Sequence, residues 1–186
     1  MWRGASAVMA ACVAAACATV PTGAPPITPS GIDAPFSIDG RLSARRGSEA
    51  ATANFTWRHV PPRDDLVVTT PLGQAVAEIS GDRSSERYEL RMADGRSDEA
   101  ANWTSLTERA LGAPVPVEGL SAWIHGTPRP GAAFSAEQDA SGRASVLRQD
   151  GWEIAYTYAD EDSRFPSRLQ LTQGDLEIRI AVLNRH

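Results

Sequence analysis

The chain contains no lysine: all 18 basic residues are arginine, set against 23 acidic ones, for a formal net charge of −5 over 186 residues. That absence excludes a Walker-type phosphate loop and any lysine Schiff base. The negative balance disfavours nucleic acid as a partner. Cysteine is nearly as scarce, with Cys12 and Cys17 the only two, so a domain that begins after them holds neither a disulfide nor a thiol nucleophile. His59, His125 and His186 lie far apart without metal-type spacing, and no HExxH, CxxC or GxSxG motif occurs. No catalytic residue, metal site or cofactor is expected. Past the N-terminus no stretch approaches the roughly 20 apolar residues of a transmembrane helix. What remains is an ordinary globular composition, 42% hydrophobic and 22% charged, long enough for one domain with a real core.

Residues 1–16 carry one early arginine and then a run of small apolar residues, the pattern of a signal peptide. Ala14-Ala15-Ala16-Cys17 resembles the bacterial lipobox, with Ala14 where leucine is usual. Cys17 would then be the lipid attachment site and the new N-terminus. Cys12, after Met9-Ala10-Ala11, is a competing site with a shorter apolar run, and a plain secretory peptide is the other alternative. Two or more acyl chains make membrane attachment stable where one is marginal. Residues 17–35 are rich in Pro, Gly, Ser and Thr without apolar periodicity, which reads as a semi-extended tether. Residues 36–186 are left as the folded domain.

The domain reads as mainly β. Residues 36–46 and 51–59 form an opening hairpin, with Ala53, Phe55 and Trp57 on one face. In residues 85–92, Tyr88, Leu90 and Met92 point inward. Residues 97–111 change period: Ala100, Trp103, Leu106, Ala110 and Leu111 make one helical stripe, with Ser97 or Asp98 as the cap. A shorter helix over 117–124 presents Leu120, Trp123 and Ile124. Strands return at 144–149 and at 152–158, where Trp152, Ile154, Tyr156 and Tyr158 alternate with Glu153, Ala155 and Thr157. Residues 168–172, with Leu169 and Leu171 on one face, and 176–182, with Ile178, complete the chain. Asp160-Glu161-Asp162 lacks EF-hand spacing and reads as a solvated loop. Ten or eleven short antiparallel strands, each apolar on one face, with too few helical residues to cover them, point to a strongly curved sheet wrapped around its apolar side. Its inside is either a packed core or a cavity for an apolar ligand, and the pattern leaves both open.

The chain is organised around residues 66–80, two alternating runs, with Leu66 and Val68 on one face of the first, joined by Thr70-Pro71-Leu72-Gly73-Gln74. Pro71 and Gly73 suit a turn, but Leu72 is oddly apolar for a tip. It either folds back onto its own sheet or is received by something apolar outside the chain.

The ordered series IDGRLSAR, FTW, TTPLGQAVAEI, ALGAPVPVEGLSAWIHGTP, LRQDGWEIAY and PSRLQL, behind a lipobox, resembles the LolB family. The resemblance runs from residue 36 to the C-terminus. It implies an α+β, incomplete antiparallel β-barrel with a helical insert covering an apolar cavity. That cavity would be lined from the inward set Phe55, Trp57, Leu66, Val68, Tyr88, Leu90, Trp103, Leu106, Leu120, Trp123, Trp152, Ile154, Tyr156, Leu169, Leu171 and Ile178. Leu72, between Pro71 and Gly73, matches the family's protruding membrane-insertion leucine. The implied protein is a lipid-anchored outer-membrane lipoprotein facing the periplasm. It would accept lipidated cargo proteins from a LolA-like periplasmic carrier, as a monomer without ATP, and insert them in outer-membrane lipid. An envelope lipoprotein binding another apolar ligand, or acting as a scaffold, is the alternative. Family members carry an N-terminal helix before the first strand, a pattern that residues 20–35 lack.

Overall fold

The computed structural model describes residues 26–28, 34–111, 114–115 and 117–186. The chain forms β1 (Phe36–Arg46), β2 (Glu49–Val60), β3 (Arg63–Thr69), β4 (Ala75–Asp82), β5 (Arg87–Met92) and β6 (Ser97–Ala100). Helices α1 (Trp103–Leu111) and α2 (Val117–Trp123) follow, and then β7 (Phe134–Gln138), β8 (Ala144–Gln149), β9 (Trp152–Thr157), β10 (Arg168–Gln173) and β11 (Leu176–Arg185). All eleven strands belong to one antiparallel sheet in the order β6-β5-β4-β3-β2-β1-β11-β10-β9-β8-β7. Each half is a meander, and pairing of the first strand with the last joins the halves at the centre. The edges β6 and β7 do not pair among the described residues, so the barrel is incomplete. The insert that carries both helices connects them.

Alternation sends one side chain in two to the concave face. Ile38, Leu42 and Ala44 of β1, Phe55 and Trp57 of β2, Ile154 of β9, and Ile178 and Ile180 of β11 are buried there, while their neighbours face out or lie half-buried. Register shifts at Asp39/Gly40, Val68/Thr69 and Glu137/Gln138 add bends of the kind that close a sheet on itself. Two glycines make room for aromatic rings. A Cβ on Gly40 would stand 2.5 Å from the Phe55 ring, and one on Gly81 would stand 2.4 Å from the Trp103 ring. Phe55 therefore lies across β1, and Trp103 seats α1 on β4. Helix α2 lies inside the curve with Val117, Leu120, Ala122 and Trp123 buried.

Two elements differ from the sequence expectation. Residues 97–100 are not the first turn of a helix but the edge strand β6, paired to β5 from Arg91↔Ser97 to Tyr88↔Ala100. Ser97, Asp98 and Glu99 carry no apolar side chain that would hold a helical turn on the core, so their backbone satisfies the free edge of β5 instead. The cap is accordingly Asn102, whose side-chain oxygen accepts from the Ser105 N–H at 3.0 Å, rather than Ser97 or Asp98. Strand β7 went unforeseen because its residues are exposed or half-buried, leaving no clean alternation to detect.

Candidate functional site

A small pocket lies on the concave face, under the chain that leads into α2. Phe55, Trp57, Leu66, Val68 and Leu120 of the expected set line it, together with Leu42, Val115 and Val117. No polar side chain takes part. Its volume is about 30 Å³, the share of one water molecule in the liquid. Tyr88, Leu90, Trp103, Leu106, Trp123, Trp152, Ile154, Tyr156, Leu169, Leu171 and Ile178 belong to the same core cluster but do not line this pocket. In this conformation they are packed interior.

Two of the tryptophans, Trp57 and Trp123, are held by polar anchors that sequence reading missed. The Trp57 indole N–H donates to Asp64 at 2.9 Å, and the same carboxylate oxygen stands 2.6 Å from His59 Nδ1. Arg83 lies 3.9 Å from the other oxygen. Asp64 and His59 are both buried. An acidic residue on the inward face of a strand, two positions before Leu66, was the available signal. Trp123 donates to Gln149 at 2.8 Å, and Gln149 is also buried. Trp103 Nε1 and the Tyr156 hydroxyl are buried without a partner among the described residues, and desolvation pushes the Tyr156 phenol pKa well up.

Leu72 does not fold back. It is 91% exposed, at the tip of the β3–β4 hairpin. The Gly73 N–H donates to the Thr70 carbonyl and the Thr70 N–H to the Gln74 carbonyl, both at 2.8 Å, and Gly73 has φ +86°. This is a three-residue loop, a β-turn with Pro71 at its first corner followed by a left-handed glycine. Leu72 keeps a negative φ, and its backbone is held while its side chain is not.

At the opposite end of β1 is a second, wider depression of about 700 Å³. Its aromatic wall is built around Phe36, which stacks on His59 at 4.9 Å and meets His125 edge-on at 5.0 Å; His125 in turn meets Phe165 at 5.2 Å. Burial holds the His125 imidazole below its ordinary pKa, the Ser121 carbonyl partly opposes that shift, and Arg185, His59 and Arg164 add to it. Residues 26–28 form another wall, and Ile27 packs on the core. Cys17 and residues 1–25 lie outside the described residues.

An open half-barrel with an apolar interior, a helical insert inside its curve and a bare leucine on a hydrogen-bonded hairpin is the architecture of a receptor for an apolar ligand. Comparison with known proteins is specific. The family described as outer membrane lipoprotein LolB matches residues 34–184. A LolB from Chromobacterium violaceum is 37% identical over 158 residues, covering 84% of this chain and 83% of its own. One from Azoarcus sp. is 35% identical over 178 residues, covering 92% and 91%. A solved Vibrio parahaemolyticus domain assigned to outer-membrane lipoprotein sorting superposes with a TM-score of 0.51 at 7% identity, covering 85% of this chain and 86% of that one, which shows the shared fold alone. The chain belongs to the LolB family of outer-membrane lipoproteins. It is a receptor of lipoprotein sorting, not an enzyme.

Proposed function

We propose that the chain, anchored through Cys17 after loss of residues 1–16, works as a monomer that takes lipidated proteins from a LolA-like carrier. It shelters their acyl chains against the concave face and releases them into outer-membrane lipid where Leu72 touches it. The observation that carries this reading is the pairing of a bare, rigidly presented Leu72 with an all-apolar pocket on one sheet. A sixteen-carbon chain costs on the order of 12 kcal/mol to expose to water, at about 0.8 kcal/mol per methylene, so cargo passes from one apolar shelter to the next. With no nucleotide loop in the sequence, direction comes from relative affinity, about 1.4 kcal/mol per tenfold.

A pocket of about 30 Å³ does not admit an acyl chain, so uptake requires α2 and the segment before it to move off β1–β3. Val115 and helix α2, through Val117 and Leu120, supply one side of the pocket, and this covering separates without breaking any strand pairing. The test is exchange: purified carrier loaded with a lipidated protein is mixed with the chain, and cargo is followed from one to the other. Transfer without added nucleotide is expected. A folded chain that takes nothing from the carrier moves the assignment to an envelope lipoprotein with another apolar ligand.

A further inference from the structure

Residues 26–28 precede the first strand, yet Ile27 is half-buried on the core and Pro26, Ile27 and Thr28 run along the 700 Å³ groove. The groove is lined by Phe36, His125, Tyr158 and Phe165. Aromatic-lined grooves are the sites that recognise polyproline-type segments, and the local sequence is Pro25-Pro26-Ile27-Thr28-Pro29. Three arginines border the groove, and Arg164 lies over the Phe165 ring. Arg143 pairs with Asp139 and donates to the carbonyls of Asp160, Glu161 and Ser163, and Arg185 donates to those of Ile124 and Pro166. Residues 18–32 carry no charge, so the segment meets the groove through apolar and backbone contacts.

The geometry points to this groove as a dock for the chain's own N-terminal segment, gripped at Ile27, which sets the length of the leash between Cys17 and the barrel. The leash rests on Cys17 being the anchor; the dock does not. Ten residues separate Cys17 from Ile27, a span of at most about 33–36 Å, whereas the nineteen from Cys17 to Phe36 would reach about 63–68 Å. The register says which end of the barrel is held. Phe36 pairs with His59, while Thr69, where the Leu72 hairpin begins, pairs with Asn54 at the level of Arg41. The Leu72 turn therefore lies at least five residues, about 17 Å, further along the sheet, at the end away from the dock. With the dock filled and Leu72 facing the membrane, the tip stays within about 19 Å of the anchor plane; with the dock empty that distance rises to about 51 Å. The groove thus keeps the insertion loop near the membrane it serves.

The test uses the chain from Cys17 onward, coupled through the Cys17 thiol to a maleimide lipid in liposomes, so that natural acylation does not enter. Trp57, Trp103, Trp123 and Trp152 are the donors and dansyl headgroups the acceptors. Ten Gly/Ser residues are inserted either between Thr19 and Val20 or between Ser30 and Gly31. The first insert lengthens the leash from roughly 17 to 25 Å root-mean-square and is expected to lower energy transfer about twofold. The second lies on the barrel side of the dock and leaves transfer unchanged. Ile27→Asp, which empties the dock, makes the two inserts equivalent. Equal losses from both inserts in the parent chain, or no loss from either, would overturn the proposal. Carrier-to-chain exchange in solution is read separately, so failure of the receptor reading is distinguishable.

Discussion

Two residues carry opposite kinds of information. Leu72 is exposed and makes no structural contribution, so Leu72→Glu should shift stability by within about 0.5 kcal/mol. Cargo uptake should persist while delivery to liposomes fails, because a carboxylate resists entering the acyl boundary. Melting temperature, carrier-to-chain transfer and chain-to-liposome transfer are the three measurements, and a normal liposome step would remove Leu72 from the mechanism. Asp64 is the reverse case, buried and accepting from the Trp57 indole while contacting His59. Its replacement by alanine leaves the buried Trp57 N–H without this acceptor and should cost about 1–3 kcal/mol in urea unfolding. Asp64→Asn keeps an acceptor for Trp57 and should lose less. An Asp64→Ala protein as stable as the parent would mean the network contributes nothing.

The informative elements are those on which α1 and α2 rest. Helix α1 is seated through Trp103 on Gly81, where a Cβ would come within 2.4 Å of the ring. Gly81→Val should therefore lift α1 from β4 and destabilise by roughly 1–3 kcal/mol or more. A red shift in tryptophan emission should accompany the loss, and unchanged emission would contradict this seating. Helix α2 presents a different contrast, because it covers the pocket. Val68→Phe fills the space beneath it, and should reduce acyl-chain uptake while leaving a cooperative unfolding transition, shifted by about 1–3 kcal/mol. Full uptake in a folded Val68→Phe chain would place the acyl chains elsewhere.

For the whole molecule, the sheet is closed at its centre by β1 with β11 and open at β6 and β7, and the aromatic groove beside His125 sits at the closed seam. Because the folded state holds His125 below its ordinary pKa of 6.5, its contribution to stability is complete above that value. As pH falls below 6.5 the unfolded chain binds the proton first, and stability declines until the folded imidazole also titrates. Asp82, Asp94 and Asp139 are held below the usual carboxylate value of 3.8, so their losses begin only at lower pH. Urea midpoints at pH 7.5 and 5.5 should therefore differ for the parent chain, and the difference should shrink in His125→Gln. An unchanged difference would assign the slope to other groups.

Much of the fold was legible because the period-2 alternation is a local signal. Which face of each strand is apolar follows from spacing alone, and Trp57, Ile154, Leu169, Leu171 and Ile178 were assigned inward on that basis and are buried. The Pro-Leu-Gly tip likewise declared a turn, and the order of several short motifs declared the family. Tertiary structure decided what depends on partners distant in sequence. Residues 97–100 became a strand because β5 offered an unpaired edge. Alternation puts Asp64 on the inward face, but its carboxylate can be buried there only because Trp57 and His59 meet it across the β2–β3 pairing. Whether the interior is hollow was beyond the sequence, because free volume is the small difference between a cage and its filling. Here that difference, about 30 Å³, is set jointly by side chains from β1, β2, β3, β11 and the insert, and no local pattern encodes their sum.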